Sequence, residues 1–258
     1  MKEIIKVIKI GGNVVDNPDA LARFISDFAT IPGYKVLVHG GGKEATRMSA
    51  AMGIETTMID GRRVTDRATL DVVTMVYAGL INKRIVSALQ AAGCNAIGLT
   101  GADGSVVTAT RRNPVPVDYG FVGDIVPEGV NASLLVGLCG MELVPVVCAI
   151  MHDGHGTLLN CNADSVASAL AKGLAAEADV DLVFCLEKNG VLRDVDDPAS
   201  VIGEITADSY PALKESGVVS KGMIPKVENA LDAVAYGVRS VRICHSDDVS
   251  RDSGTVIR

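Results

Sequence analysis

At 258 residues, 48% of them hydrophobic, with 27 glycines, four phenylalanines and no tryptophan, the chain suits one large α/β domain or two small ones with an aliphatic core. A net charge of −7, with no basic block or aromatic-rich strand face, argues against a nucleic-acid partner, and no apolar run reaches the length of a membrane span. Six scattered cysteines without a CxxC pair, and a Met-Lys-Glu start that enters a strand within a few residues, read as a cytoplasmic chain with reduced thiols and no signal peptide.

Strand and helix patterns alternate almost throughout, which predicts a layered α/β fold around a mainly parallel sheet buried on both faces. Val7-Ile8-Lys9-Ile10 is the first strand and runs straight into Gly11-Gly12. Asn17-Pro18-Asp19 caps a helix with Leu21, Phe24, Ile25 and Phe28 on one face. Val36-Leu37-Val38-His39 is the second strand, and Gly40-Gly41-Gly42 opens a helix through Met52 that Gly53 closes. A polar turn over 60–66 feeds a long helix ending near Gly93, and Ala96–Thr100 is the next strand. Short strands and a hairpin around Asp118-Tyr119-Gly120 fill 106–125, and Leu143–Ile150 is a buried strand. Asn160–Leu174 is a helix with its lead-in, Val180–Leu186 a strand ending at Asn189-Gly190, and Ala207–Leu213 and Lys226–Tyr236 are helical. Ser240–Cys244 and Gly254–Ile257 are late strands. No proline- or serine-rich linker divides the chain, which reads as one domain with two lobes.

Two strand-to-glycine loops, one preceded by a lysine, are what a phosphate-handling site needs. Glycine lets backbone N–H groups approach an anion closely, and a lysine adds a point charge. Lys9 inside an apolar run is costly to bury unless it faces an anion, although a strand-end lysine also snorkels to solvent. His39 reads as structural rather than as an acid or base. Asn160, Asn162 and Asp164 open an otherwise apolar helix; any one of them could be its cap, but all three exceed what a cap requires. An aspartate at 164 could orient two lysines by charge-assisted hydrogen bonds, Gly222-Met223-Ile224-Pro225-Lys226 offering Lys226 as the second. A lysine at a helix start works against the macrodipole and so wants a nearby anion. The chain lacks GxGxxG, GxSxG and GxxxxGK[ST] motifs, and His152 and His155 in a glycine turn lack metal-site geometry.

Taken in order, Ile8–Gly12, Val38–Gly42, Gly61–Thr65, Gly120–Asp124, Asn160–Asp164 and Gly222–Lys226 resemble the amino-acid kinase family, and within it the branch that phosphorylates N-acetyl-L-glutamate. The resemblance implies a three-layer α/β/α sandwich, with an acyl-glutamate lobe over about 1–175 and an ATP lobe over about 176–258. It implies transfer of the γ-phosphoryl group of ATP, with Mg2+ carried by the nucleotide, to the side-chain carboxylate of N-acetyl-L-glutamate in arginine biosynthesis. N-succinyl-L-glutamate is the alternative acceptor, and a non-catalytic metabolite sensor on the same fold the alternative of another class. Position by position, Lys9, Lys226, Asp164, Gly12 and Gly41 would be catalytic. Gly41, Gly42, Arg63, Asn160 and Asn162 would bind the acyl-glutamate. Lys9, Gly11, Gly12, Glu187, Lys188, Asn189, Gly190, Val191, Leu192, Val218, Val219, Ser220 and Lys226 would contact ATP, and no protein side chain would ligate a metal. Around Glu187–Leu192 the chain departs from the family's usual Thr/Ser-Asp-Val segment. Without the N-terminal helical extension of arginine-inhibited hexamers, a homodimer without arginine feedback is expected.

Overall fold

The computed structural model describes residues 3–219 and 223–258. The central sheet has eight strands: β1 Ile4–Ile10, β2 Tyr34–His39, β3 Ala96–Leu99, β4 Val144–Cys148, β5 Asp179–Leu186, β6 Glu204–Ile205, β7 Ser240–His245 and β8 Thr255–Ile257. Their spatial order is β6-β8-β7-β5-β1-β2-β4-β3, and only the β7–β8 pair is antiparallel. The helices are α1 Gly12–Val15, α2 Pro18–Thr30, α3 Gly42–Ala51, α4 Arg67–Ala91, α5 Ala132–Gly140, α6 Ala163–Leu174, α7 Tyr210–Glu215 and α8 Ile224–Tyr236. Helices α2 and α4 cover one face, and α5, α6 and α8 the other, which is the expected α/β/α sandwich.

The central strands are buried on both faces, so they carry apolar side chains at successive positions rather than in alternation. Ile5, Val7, Ile8 and Ile10 of β1 and Val36, Leu37 and Val38 of β2 are wholly buried. Helix α2 starts where its sequence says it should: Asn17 Oδ1 accepts from the N–H groups of Asp19 (3.0 Å) and Ala20 (3.1 Å), with Pro18 in the first turn.

Three boundaries differ from expectation. The run 143–150 divides at Ala149 into β4 and a short strand Ile150–His152, which pairs antiparallel with Leu158–Asn160. Asn160 therefore ends a strand, and the following helix begins only at Ala163. Helix α7 starts later than Ala207 because Thr206 and Ser209 bond each other's backbone N–H groups through their hydroxyls, a turn that competes with helix. Helix α4, read as a whole, is long and apolar enough to cross a membrane, which no single apolar run had suggested. Here Leu70, Val73, Val76, Ile85 and Leu89 bury its apolar side in the core. A further departure lies inside α4: Met75–Ile81 is π-helical.

One buried charge belongs to the scaffold. Lys35 on β2 is 5% exposed, and its ammonium donates to Phe28 O (2.8 Å), Ala29 O (3.2 Å) and Ile31 O (2.7 Å), carbonyls at the end of α2 of which Phe28 O also accepts from Ile31 N. Lys35→Met keeps the aliphatic stem and removes that donor from the carbonyls. It should lower unfolding stability by about 1–3 kcal/mol in urea titrations.

Candidate active site

Connections from β1 lead towards β2, whereas β5 returns to the opposite side of β1, so the strand order reverses there. A crevice opens at the carboxyl ends of such strands. Both glycine loops lie at that edge, because Gly11 follows β1 and Gly40 follows β2. They border a cleft of about 250 Å³ that also takes in Lys9, Arg63, Asn160 and Asp164.

Lys9 is the next-to-last residue of β1, in register with Val38 on β2 and Phe184 on β5. It is 8% exposed, and its ammonium sits 2.6 Å from Asp164 Oδ1, an ion pair without an aligned hydrogen bond. Lys226, in the first turn of α8, donates to Asp164 Oδ2 at 2.8 Å. One carboxylate thus bridges two cations that are far apart in sequence. Burial works to raise the Asp164 pKa, but the charges of Lys9 and then Lys226 outweigh it, and the group lies below the usual carboxylate range. The helix cap is not Asp164 but Asn162, whose Oδ1 accepts from Asp164 N (2.8 Å) and Ser165 N (3.3 Å). Asn162 borders the cleft, but its amide oxygen is committed to the helix.

The three glycines after β2 are not equivalent. A Cβ at Gly40 would make an ordinary 3.5 Å contact with Ala163, and one at Gly42 would meet nothing. A Cβ at Gly41 would collide with the Ile81 Cδ1 methyl and come to 3.0 Å from the Tyr77 ring, so a side chain there fits only if Ile81 moves aside. Gly41 is also the N-cap of α3 and offers no capping side chain, which leaves first-turn N–H groups for an anion. At β1, Gly11 caps the single-turn α1, and Gly12 is its first residue.

Arg63 closes the other side. Its guanidinium donates to Gly42 O (2.8 Å), Thr46 Oγ1 (2.8 Å) and Thr56 Oγ1 (3.1 Å), which fixes the plane of the fork. Asn160 Nδ2 donates to Thr65 Oγ1 at 3.0 Å, tying the cleft floor to the segment that carries Arg63. His39 is wholly buried; Nδ1–H donates to Gly40 O (2.9 Å), so Nε2 accepts from Asn82 Nδ2 (3.1 Å). It is structural, as its sequence context suggested.

The second group of expected contacts lies elsewhere. Glu187–Leu192 leave the carboxyl end of β5, beside Gly11, whose Cβ position is 3.7 Å from Cys185 O. They do not line the cleft around Lys9. Glu187, Lys188 and Asn189 are exposed, with Lys188 Nζ donating to Val195 O and Asn189 Nδ2 to Pro198 O. Val191 N donates to Thr255 Oγ1 at 2.8 Å, and Leu192 bridges Val201. Val219 is buried and donates its N–H to Leu213 O, with Val218 half-buried beside it. Ser220 and Gly222 lie outside the described residues. Sequence reasoning missed Tyr77, Thr46 and Thr56. Nothing in a helical periodicity marks the π-helical turn that carries Tyr77 to the cleft.

The model of the amino acid kinase family matches residues 5–245. The chain belongs to that family. An acetylglutamate kinase of Phocaeicola vulgatus is 50% identical over 258 residues, covering 100% of both chains. One of Cytophaga hutchinsonii is 52% identical over 245 residues, 94% of this chain and 92% of its own. The solved structure of smu.665 from Streptococcus mutans aligns over 100% of this chain and 99% of its own with a TM-score of 0.77 and 29% identity.

Burial holds the His39 pKa down at about 4, against 6.5 for a free imidazole. The unfolded chain therefore binds a proton between those values that the native chain refuses, and stability present above pH 6.5 is lost as pH falls towards 4. The full effect is roughly 3 kcal/mol. Stability measured against pH should fall less steeply over that window in His39→Gln than in the wild type.

Proposed function

We propose that this amino acid kinase transfers the γ-phosphoryl group of ATP to the side-chain carboxylate of N-acetyl-L-glutamate, giving an acyl phosphate in arginine biosynthesis. The observation that carries the reading is the Lys9–Asp164–Lys226 bridge, set beside two glycine loops in a chain half-identical to acetylglutamate kinases along its whole length. The relatives named above bear the acetyl name, and nothing in them favours N-succinyl-L-glutamate. A metabolite sensor would have no use for both lysines and their shared carboxylate.

The chemistry asks little of acid–base groups. A substrate carboxylate is already ionised at neutral pH, so no general base is needed. Its oxygen attacks the γ-phosphorus in line, the bond to the β–γ bridging oxygen breaks, and the electron pair leaves with ADP. Catalysis is then positioning and charge neutralisation. Lys9 and Lys226 neutralise the transferring group and the leaving oxygen, and Asp164 holds both ammonium groups in place. The N–H groups of Gly12 and Gly41 donate to phosphoryl oxygens, and Arg63 and Asn160 take the acyl-glutamate, with Gly42 beside them. Asn162 contributes to this site as a cap that aims Asp164. Both Asp164 oxygens face lysines, so Mg2+ would come with the nucleotide, where it would supply charge neutralisation to the phosphates. The adenosine end of ATP runs over the 187–192 loop and Val218–Ser220. The enzyme works in the cytoplasm as a homodimer; its six buried, unpaired cysteines suit a reducing compartment. Light scattering should give twice the 26.8 kDa chain mass.

The deciding assay measures ADP release with MgATP and N-acetyl-L-glutamate, with hydroxylamine to trap the acyl phosphate as a hydroxamate. Turnover with this substrate, and little with free L-glutamate, is the expected result; no hydroxamate with any acylated glutamate overturns the reading. Lys9→Met should cut kcat on the order of 10²–10³-fold. Arg63→Ala should raise KM for the acyl-glutamate roughly 10–100-fold, with a smaller change in kcat, because it removes binding shared by ground and transition states.

A further inference from the structure

Tyr77 and Ile81 lie in the π-helical stretch Met75–Ile81 and, four residues apart, both face the glycine loop. Their side chains occupy the space that any Cβ at Gly41 would need, with Tyr77 Cδ1 and Cε1 at 3.0 and 3.1 Å from that position. The ring is only 6% exposed, and what shows of it lines the same cleft as Arg63 and Asn160. Single π-helical turns inside α-helices recur at functional sites. This one places an aromatic wall against the N-cap of α3.

Tyr77 and Arg63 line the same cleft, close enough for the Arg63 charge to act on the phenol. Burial raises the Tyr77 pKa, and the opposing pull of the Arg63 charge does not reverse it, so the phenol keeps its proton at neutral pH. A guanidinium only donates, so the phenol oxygen can only accept from it. The phenol's own proton is left to point at a third group. Arg63 is held by Gly42 O, Thr46 and Thr56, which leaves the Tyr77 O–H beside a cation whose orientation is already set.

We infer that Tyr77 is a substrate-positioning residue, whose O–H donates to the carboxylate that Arg63 takes, so that a neutral donor and a cation grip one anion from adjoining sides. The inference rests on the acyl-glutamate reading above and deepens it. A carboxylate offers two oxygens and about four lone-pair sites, enough for both donors. The ring wall also shields the pair from water, which strengthens both contacts.

The test is Tyr77→Phe, which keeps the ring against Gly41 and removes only the hydroxyl. Binding of N-acetyl-L-glutamate is measured by calorimetry, and KM and kcat by ADP release. About tenfold weaker binding and a tenfold higher KM are expected, with kcat, the KM for ATP and the thermal midpoint little changed. The α-amide of N-acetyl-L-glutamate, which lacks the anion, should lose far less between wild type and variant. Wild-type affinity in Tyr77→Phe, or an equal loss for acid and amide, overturns the inference and leaves Tyr77 a packing wall. Binding by the wild type without turnover would sink the kinase reading alone, because the calorimetric comparison still decides the role of Tyr77. No binding by the wild type would overturn both.

Discussion

Everything at the cleft depends on one carboxylate shared by two ammonium groups. Asp164 meets Lys9 on β1 and Lys226 on α8, two elements separated by most of the chain. A buried acid held by one cation would be a near-balanced ion pair, and one left alone would protonate. Held by two, it stays ionised and still leaves a surplus of positive charge at the sheet edge. That surplus, next to open N–H groups at the start of α3, is a place for an anion with more negative charge than one carboxylate supplies. The ion bridge joins α6 and α8 to β1 at the cleft, while buried apolar residues such as Val166, Leu170 and Val227 seat the helices on the sheet.

The backbone around this bridge is arranged for close approach. The loop after β2 has three glycines, yet neighbours crowd the Cβ position at only one, Gly41, where Ile81 and Tyr77 press in. Gly40 and Gly42 leave the loop uncluttered for an incoming ligand. The pressure on Gly41 comes from the π-helical turn of α4, so a helix remote in sequence shapes the anion-binding corner. His39 and Asn82 tie the two elements together beneath it, with the imidazole neutral and its tautomer set by Gly40 O. A neutral buried ring suits this place, since a third cation beside the lysines would be expensive to keep dry.

Much of this was legible in the chain itself. Runs such as Val36–His39 and Val180–Leu186 show strands buried on both faces, and Asn17-Pro18 writes its own helix start. Lys9 stands out because a lysine among isoleucines needs an anion, and Lys226 because a cation opposes the dipole of the helix it begins. Those are local signals, and local physics suffices to read them. Asn162 and Asp164 are both good capping residues, so the local sequence alone does not choose between them. Only their positions in three dimensions show that Asn162 holds the N–H groups while Asp164 turns to the lysines.

Propensity, burial pattern and charge cost act over a few residues, so the layered α/β class, the glycine loops and the residue types at the charged bridge can be read from the chain alone. Only the folded chain shows that Lys9 and Lys226 reach the same carboxylate, that Ile81 and Tyr77 crowd Gly41, and that Tyr77 lines the cleft with Arg63. Those facts are set by strand order and by a π-helical turn, which are products of long-range packing and leave no periodic trace in the chain.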